Sequence, residues 1–284
     1  MMDPSKKRRM LMYGAILGDM IGRPYEFLRA VKDRNFELFN KSSVFSDDSV
    51  MTIAVAEALL KVTDGHSRAF TTEDPDIENR FKEILIDSLK KWGRRYPDAG
   101  YGGRFMAWLL SDKRDPYNSY GNGSAMRVSA AGYIADDLET TIKVAAWTAE
   151  VTHNHHEGVK GAEAVAACIF MARTGCTKEE IKGYVESTFH YDLSRTVDEI
   201  KPGYSFDVSC QGSVPESIIC FLEADSFESA VRNAVYLGGD TDTMGAIAGS
   251  IAEAYYGVPE SLKEECRKRV TPEMLEVLTK FMGE

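Results

Sequence analysis

The sequence predicts an all-α fold. Apolar residues recur at the three- and four-residue spacing of a helix face along most of the 284 residues, and no convincing alternating run interrupts them. The chain has no internal repeat, no low-complexity tract and no segment with the composition of a linker. We therefore expect one compact multi-helix domain over residues 1–284.

Ten segments of the chain have the apolar spacing of helices. After Asp242, the residues Met244, Ile247 and Ile251 fall on one helix face, and Gly257 ends the pattern. Residues 47–61 are apolar nearly all round, which indicates a central helix. The other predicted helices are 10–21, 78–93, 137–151, 157–173, 178–188, 214–223, 227–237 and 271–282. We expect functional residues in the long irregular stretches 23–46, 112–123 and 190–213.

The composition disfavours several classes of protein. A formal net charge of -10 argues against a protein that binds nucleic acid directly by neutralising phosphates. No window carries the roughly 18 consecutive apolar residues of a membrane span, and the N-terminus lacks the apolar stretch of a secretory signal. We expect a cytoplasmic protein without a membrane partner, in which residues 1–9, with the basic run Lys7, Arg8 and Arg9, are a flexible terminus.

The cysteines and histidines do not form a recognisable zinc site. The cysteines are odd in number and contain no Cys-x-x-Cys pair, so we expect reduced thiols that mostly serve packing. Three histidines cluster at 153, 155 and 156 without His-Glu-x-x-His spacing, which favours a neutral imidazole contacting a polar ligand over zinc. The five cysteines are Cys168, Cys176, Cys210, Cys220 and Cys266.

Two clusters of carboxylates stand directly before apolar helices. They are Ser-Asp-Asp-Ser at 46–49 and Gly-Gly-Asp-Thr-Asp-Thr at 238–243. Capping of the helix start explains either cluster alone. Capping does not require two carboxylates and hydroxyls at each start, whereas hard divalent cations take several oxygen ligands. On spacing alone, capping and a site for two magnesium-like ions both stay open.

Glycine-rich segments supply further candidates. Glycines at 14 and 18 lie in the predicted helix 10–21 and Gly22 directly follows it, which indicates close packing or a close ligand; Glu26 comes shortly after. The loops at 100–104 and 119–127 can present N–H groups to a phosphate, although the second lacks the Walker ending and a ligand-free Asn-Gly turn also explains it.

Taken together, these motifs resemble the ADP-ribosylglycohydrolase family. The resemblance lies in Gly-Asp-Met-Ile-Gly-Arg-Pro-Tyr-Glu (18–26), Ser-Asp-Asp-Ser (46–49), Gly-Asn-Gly-Ser-Ala-Met-Arg (121–127), Thr-His (152–153) and Gly-Gly-Asp-Thr-Asp-Thr (238–243). Each motif alone is common, but the ordered set is specific and spans residues 14–257. It implies an all-helical fold with a binuclear magnesium centre in a cleft, and hydrolysis that releases ADP-ribose from a modified macromolecule.

The resemblance also assigns roles to individual residues. The implied metal ligands are Ser46, Asp47, Asp48, Asp240, Asp242 and Thr243. Glu26 and Asp242 are the candidates for proton transfer. The implied substrate contacts are Gly102, Gly103, Ser119, Tyr120, Gly121, Asn122, Gly123 and His153. The family usually has Thr-Asp-Asp-Thr in the first cluster, and the serines found here keep the hydroxyls that ligation needs.

Several alternatives stay open at this point. Clustered aspartates also serve two-metal phosphoesterases, and a non-catalytic relative would only bind ADP-ribose. The expected partner is an ADP-ribosylated protein or an ADP-ribose-containing small molecule, with an ADP-ribosylated nucleobase also open. Residues 210–216 lie where the family varies, so the linkage cleaved is open between arginine, serine and other attachments. Manganese is a possible substitute for magnesium.

Overall fold

The computed structural model describes residues 12–27, 31–63 and 74–283. Within these ranges the chain forms helices and loops without a β-strand, apart from one isolated bridge between Gly121 and Ser209. The all-α prediction is confirmed. The predicted flexible terminus at 1–9 lies outside the described residues.

The helices follow one another along the described chain, with two short 3-10 helices at Arg23–Tyr25 and Lys201–Gly203. The α-helices are α1 (Tyr13–Gly22), α2 (Asp47–Val62), α3 (Ile77–Arg95), α4 (Gly103–Leu110), α5 (Gly123–Met126), α6 (Ala131–Ile134), α7 (Leu138–Glu150), α8 (His156–Thr174), α9 (Lys178–Phe189), α10 (Val197–Ile200), α11 (Cys210–Leu222), α12 (Phe227–Leu237), α13 (Thr241–Tyr256), α14 (Glu260–Arg269) and α15 (Pro272–Met282).

Every helix predicted from apolar spacing is present, and five others were not predicted. Helices α5, α6 and α10 have four residues each, too few to display a period. Helix α14 buries only Leu262 and Cys266, so it lacks an apolar stripe. Helix α4 begins at Gly103, inside the segment 100–104 that the glycines indicate as a loop. Helix α11 begins at Cys210 rather than at 214 because the Ser209 hydroxyl accepts a hydrogen bond from the Gly212 N–H at 3.2 Å.

Helices α1 and α13 cross with their backbones in contact. A Cβ atom added to Gly18 would lie 2.0 Å from the Gly245 carbonyl oxygen, and one added to Gly22 would lie 2.1 Å from that of Thr241. At the other end of the crossing, a Cβ on Gly14 would lie 2.4 Å from the Gly249 carbonyl oxygen. The glycines predicted to mark close packing therefore do so. Helix α13 also contacts α8, α11 and α12, which places this crossing in the core.

A buried carboxylate fixes the start of α1 against α13. Glu253 of α13 accepts hydrogen bonds from the N–H groups of Tyr13 at 3.2 Å and Gly14 at 2.7 Å. These N–H groups open a helix whose first residues are buried, so water cannot satisfy them. The negative charge also suits the positive end of the helix dipole. Glu253 therefore sets the register in which the far ends of α1 and α13 meet.

None of the helices within the described ranges combines the length and the apolar character required to cross a membrane.

The α1–α13 contact makes a stability prediction. Gly18→Ala should lower the free energy of unfolding by about 3 kcal/mol or more, because the backbones must separate to admit the methyl group. Gly183→Ala is the matched control, since Gly183 lies in α9 and an added Cβ meets nothing within 4 Å. The control should be neutral or stabilising by up to about 1 kcal/mol. Urea unfolding measures both, and equal effects would contradict the close-contact interpretation.

Candidate active site

The starts of α2 and α13 meet beside the end of α1. Carboxylate oxygens of Asp19, Asp48 and Asp242 lie within 4.8 Å of one another, and those of Glu26, Asp240 and Asp242 do the same. Asp242 belongs to both groups, so the two groups form one cluster. The structure thus brings together the two acidic motifs that are separated by about 190 positions in the sequence.

Asp19, which lies in the 18–26 motif but was given no role there, is a further member of this cluster. Its buried carboxylate accepts hydrogen bonds from the backbone N–H of Ser46 at 2.9 Å and of Ser49 at 3.1 Å. It also accepts from the Ser46 hydroxyl at 2.7 Å and from the Ser49 hydroxyl. Asp19 therefore caps α2 from a different helix. The available signal was a charged residue between apolar neighbours in a helix with closely spaced glycines.

The predicted hydroxyl ligands have other contacts in this structure. The Ser46 hydroxyl lies 2.7 Å from Asp19 and 3.1 Å from Asp48, and it accepts from the Asp48 N–H at 3.3 Å. The Thr243 hydroxyl lies 3.9 Å from the sulfur of Met126. Both hydroxyls adjoin the carboxylate cluster. Ligation of a metal ion by either hydroxyl stays a prediction.

The cluster carries an excess of negative charge. Burial and the charge of Asp242 raise the pKa of Asp19 to about 6. The same two causes raise the pKa of Glu26 and that of Asp47 to about 8. They also hold the pKa values of Asp48 and Asp240 well above the usual range.

Among the described residues, one cation contacts the cluster. The Arg23 guanidinium contacts Glu26 and lies 3.1 Å from Asp242. One positive charge is insufficient for the six carboxylates Asp19, Glu26, Asp47, Asp48, Asp240 and Asp242. The negative charge that Arg23 does not neutralise must be neutralised by protons or by bound cations.

The donor atoms fit magnesium. Oδ1 of Asp48 is buried, and it has no hydrogen-bond partner among the described residues. An ionised carboxylate oxygen in that situation is costly unless a cation meets it. The convergent atoms are all carboxylate oxygens, which are the ligands that Mg²⁺ takes in proteins. The cluster therefore has the donor set and the unmet charge of a divalent-cation site.

The carboxylates form one end of a cavity of about 460 Å³, a size typical of small-molecule sites. Of the predicted site residues, those that line it are Glu26, Asp47, Asp48, Asp240, Asp242, Thr243, Gly102, Gly103, Ser119, Gly121, Asn122, Gly123 and His153. Ser46 is buried beside the cavity, and Tyr120 is half exposed, with its ring edge against His155. A wider surface groove of about 600 Å³ at 225–232 and 256–259 contains none of these residues.

The glycine-bearing loop, residues 119–127, is tied to the carboxylate cluster. The Asn122 side-chain amide donates to Asp240 at 2.7 Å, and the Asn122 N–H donates to the Val208 carbonyl at 2.8 Å. The Cys210 N–H donates to the Tyr120 carbonyl at 2.9 Å, which fastens the loop from the other side. At Gly102 and Gly103, an added Cβ would meet nothing within 4 Å, so this second loop borders open space.

Comparison with known proteins identifies the family of the chain. The family model described as ADP-ribosylglycohydrolase matches residues 2–283. The chain belongs to the ADP-ribosylglycohydrolase family. The resemblance seen in the sequence motifs is thereby confirmed.

Relatives of the chain carry related names. ADP-ribosylhydrolase ARH3 of Bos taurus is 28% identical over 91% of this chain and 88% of its own length. ADP-ribosylarginine hydrolase Tri1 of Pseudomonas putida is 23% identical over 87% of this chain and 70% of its own length. A solved structure titled ADP-ribosylglycohydrolase-related protein complex aligns with a TM-score of 0.68 at 22% identity, covering 98% of both chains. That structure supports the ADP-ribosylglycohydrolase fold.

The raised carboxylate pKa values predict how stability depends on pH. Folded-state values of about 6 for Asp19 and about 8 for Glu26 and Asp47 exceed the unfolded values, so the folded protein binds more protons. Without metal, the free energy of unfolding should therefore fall as pH rises from about 5 to about 8. Saturating magnesium should oppose this fall, because it holds the carboxylates ionised. Urea unfolding in EDTA and in magnesium measures both slopes, and two identical slopes would contradict the metal site.

Removing one carboxylate should separate stability from metal binding. Asp242→Asn removes a charge that raises the pKa of its neighbours, so the metal-free variant should be more stable than the wild type. Magnesium at about 100 times its Kd should stabilise the wild type by about 2.7 kcal/mol and the variant much less. Asp112→Asn, on the exposed surface, is the control and should behave as the wild type. Calorimetric titration that finds unchanged magnesium affinity in Asp242→Asn would refute this assignment.

Proposed function

We propose that this chain is a magnesium-dependent hydrolase that cleaves the glycosidic bond between ADP-ribose and a modified macromolecule, with a protein side chain as the attachment. The proposal rests on one cavity that both sets of residues line. In this cavity, a carboxylate cluster with unneutralised negative charge faces the glycine-bearing loop and His153. The names of ARH3 and Tri1, both ADP-ribosyl hydrolases, support the same reaction class.

The residues that would hold two magnesium ions are Asp48, Asp240 and Asp242, with Ser46, Asp47 and Thr243 as further oxygen donors. Asp19 and Glu26 adjoin them in the convergent groups. Bound there, magnesium would act as a Lewis acid and a template that fixes ribose hydroxyls and orients water.

Glu26 is placed to move a proton. Cleavage at the anomeric carbon needs an acid for the leaving group and a base for water. Glu26 lines the cavity, is held by Arg23, and has a pKa raised to about 8 by burial and by Asp242, so it can carry a proton at neutral pH. Asp242 shares the contact with Arg23, but its side chain is only 3% exposed. We therefore favour Glu26 as the acid and keep Asp242 as the alternative.

The opposite part of the cavity suits the diphosphate. Small residues at 102, 103, 121 and 123 let a ligand approach the backbone, and the His153 ring borders the same space. Ser119 and Asn122 add polar groups to this lining. Tyr120, a half-exposed residue of this loop, offers a ring on which a base could stack.

The leaving group would pass two exposed aromatic rings. Phe27 directly follows Glu26 and is 74% exposed, and its ring lies 5.2 Å from that of Phe206. Both rings line the mouth of the cavity. Such a surface accepts either a planar guanidinium or a peptide backbone, so the attachment must be found by experiment.

The first test measures release of free ADP-ribose from arginine-linked and serine-linked peptides, with magnesium and then with EDTA. We expect metal-dependent release from one of them. Release of phosphate or nucleoside monophosphate instead would favour the two-metal phosphoesterase. Tight binding of ADP-ribose with no product from any linkage would favour the non-catalytic relative.

Substitutions test the assigned roles with the responsive substrate. Asp240→Ala and Asp242→Ala should abolish turnover while the helical circular dichroism spectrum is retained. Glu26→Gln should lower kcat by about 10²- to 10⁴-fold, the range for loss of a general acid. Asp112→Ala serves as the surface control and should keep full activity. Full activity in both aspartate variants would overturn the metal-site assignment.

A further inference from the structure

A buried cation, Arg127, lines the cavity on the same side as His153. Arg127 is 1% exposed, and its Nη2 donates to the Thr148 carbonyl at 2.7 Å and to the Thr152 hydroxyl at 2.8 Å. Neither acceptor is a carboxylate, and its Nε has no hydrogen-bond partner among the described residues. Burial lowers the pKa of Arg127 to about 10, so the guanidinium stays charged at neutral pH. Burying a guanidinium without a carboxylate partner is costly, so we expect Arg127 to have a specific role.

The contacts of Thr152 determine where its hydroxyl hydrogen points. The side chain is fully buried, and within the described residues its oxygen has two polar neighbours, Arg127 Nη2 and His153 Nδ1 at 2.8 Å. A guanidinium can only donate. The Thr152 oxygen therefore accepts from Arg127, and Nδ1 is the one acceptor in reach for its hydrogen. A neutral imidazole that accepts at Nδ1 carries its hydrogen on Nε2.

The Nε2 atom of His153 faces the glycine-bearing loop. A Cβ atom added to Gly123 would lie 3.2 Å from Nε2, and one added to Gly121 would lie 3.6 Å from it. Burial, with the charges of Arg127 and Arg104, holds the pKa of His153 well below its usual range, which keeps the ring neutral. The ring also lines the cavity.

We propose that Arg127 and Thr152 are positioning residues that lock His153 in the neutral Nε2–H tautomer, so that the ring offers the cavity a hydrogen-bond donor. The identity of the acceptor, an oxygen of the ADP-ribose diphosphate, rests on the proposed function. The tautomer is a property of the free protein and does not depend on it.

The deciding experiment is ¹⁵N NMR of the imidazole side chains in the free protein, in EDTA, between about pH 6 and about pH 8. The spectrum of His153→Gln assigns the His153 signals. We expect Nδ1 to be unprotonated, Nε2 to carry the hydrogen, and neither signal to titrate. An Nδ1–H tautomer or an imidazolium at neutral pH would overturn the proposal, whatever the activity of the enzyme.

Variants test whether Thr152 is responsible. Thr152→Val removes the donor to Nδ1, so the tautomer signature should be lost and the Kd for ADP-ribose should rise about tenfold, or ~1.4 kcal/mol. Turnover should show a raised KM with little change in kcat, since the contact holds substrate and transition state alike. Thr152→Ser keeps the hydroxyl, so it should restore both the Nε2–H signature and the affinity for ADP-ribose.

Thr141→Val is the matched control, because Thr141 is a buried threonine of α7 whose hydroxyl donates at 2.8 Å to the Asp137 carbonyl. It should keep the tautomer and the affinity. A Thr152→Val protein that retains the Nε2–H signature and wild-type affinity would overturn the role of Thr152. If Thr152→Val does not fold, the wild-type and Thr152→Ser spectra still decide the tautomer.

Discussion

The backbone contact between α1 and α13 is the constraint on which the site depends. Three glycines of α1 lie against Thr241, Gly245 and Gly249 of α13, and the Glu253 carboxylate fixes the register at the far end. Larger residues would separate the helices and move Asp19 away from Asp242. Each helical glycine weakens its helix by about 1 kcal/mol relative to alanine. Glycine is nevertheless required at these positions, because the close crossing sets the position of the carboxylates.

The same crossing concentrates like charges in a place where water is scarce. The carboxylates raise one another's pKa, and Arg23 offsets only part of the charge. Hydrogen bonds from the start of α2 to Asp19 hold the cluster in place in spite of the repulsion. The fold therefore concentrates unfavourable electrostatic energy, which bound cations would relieve.

Much of the fold and part of the site could be predicted from sequence. Apolar periodicity predicts long amphipathic helices, and Ser, Asp and Thr at helix starts mark 46–48 and 240–243. Helix α14 was missed because it has no apolar face. Asp19 was assigned no role from the sequence because its contacts are with helices that lie far from it in the chain, and it stands as a single charged residue among the glycines and apolar residues of α1. The link from Arg127 through Thr152 to His153 likewise exists only after α5 and α7 have packed.

The cavity joins two regions of opposite electrostatic character. Glu26 and the aspartates line one region, and the buried Arg127 and the exposed Arg104 line another, near His153. Asn122 connects the two, because its amide donates to Asp240 while its backbone belongs to the glycine-bearing loop. A molecule with an electron-poor anomeric carbon at one end and an anionic diphosphate at the other matches this asymmetry. Since Arg127 already supplies positive charge, a neutral His153 adds a directed donor without the cost of burying a second cation beside it.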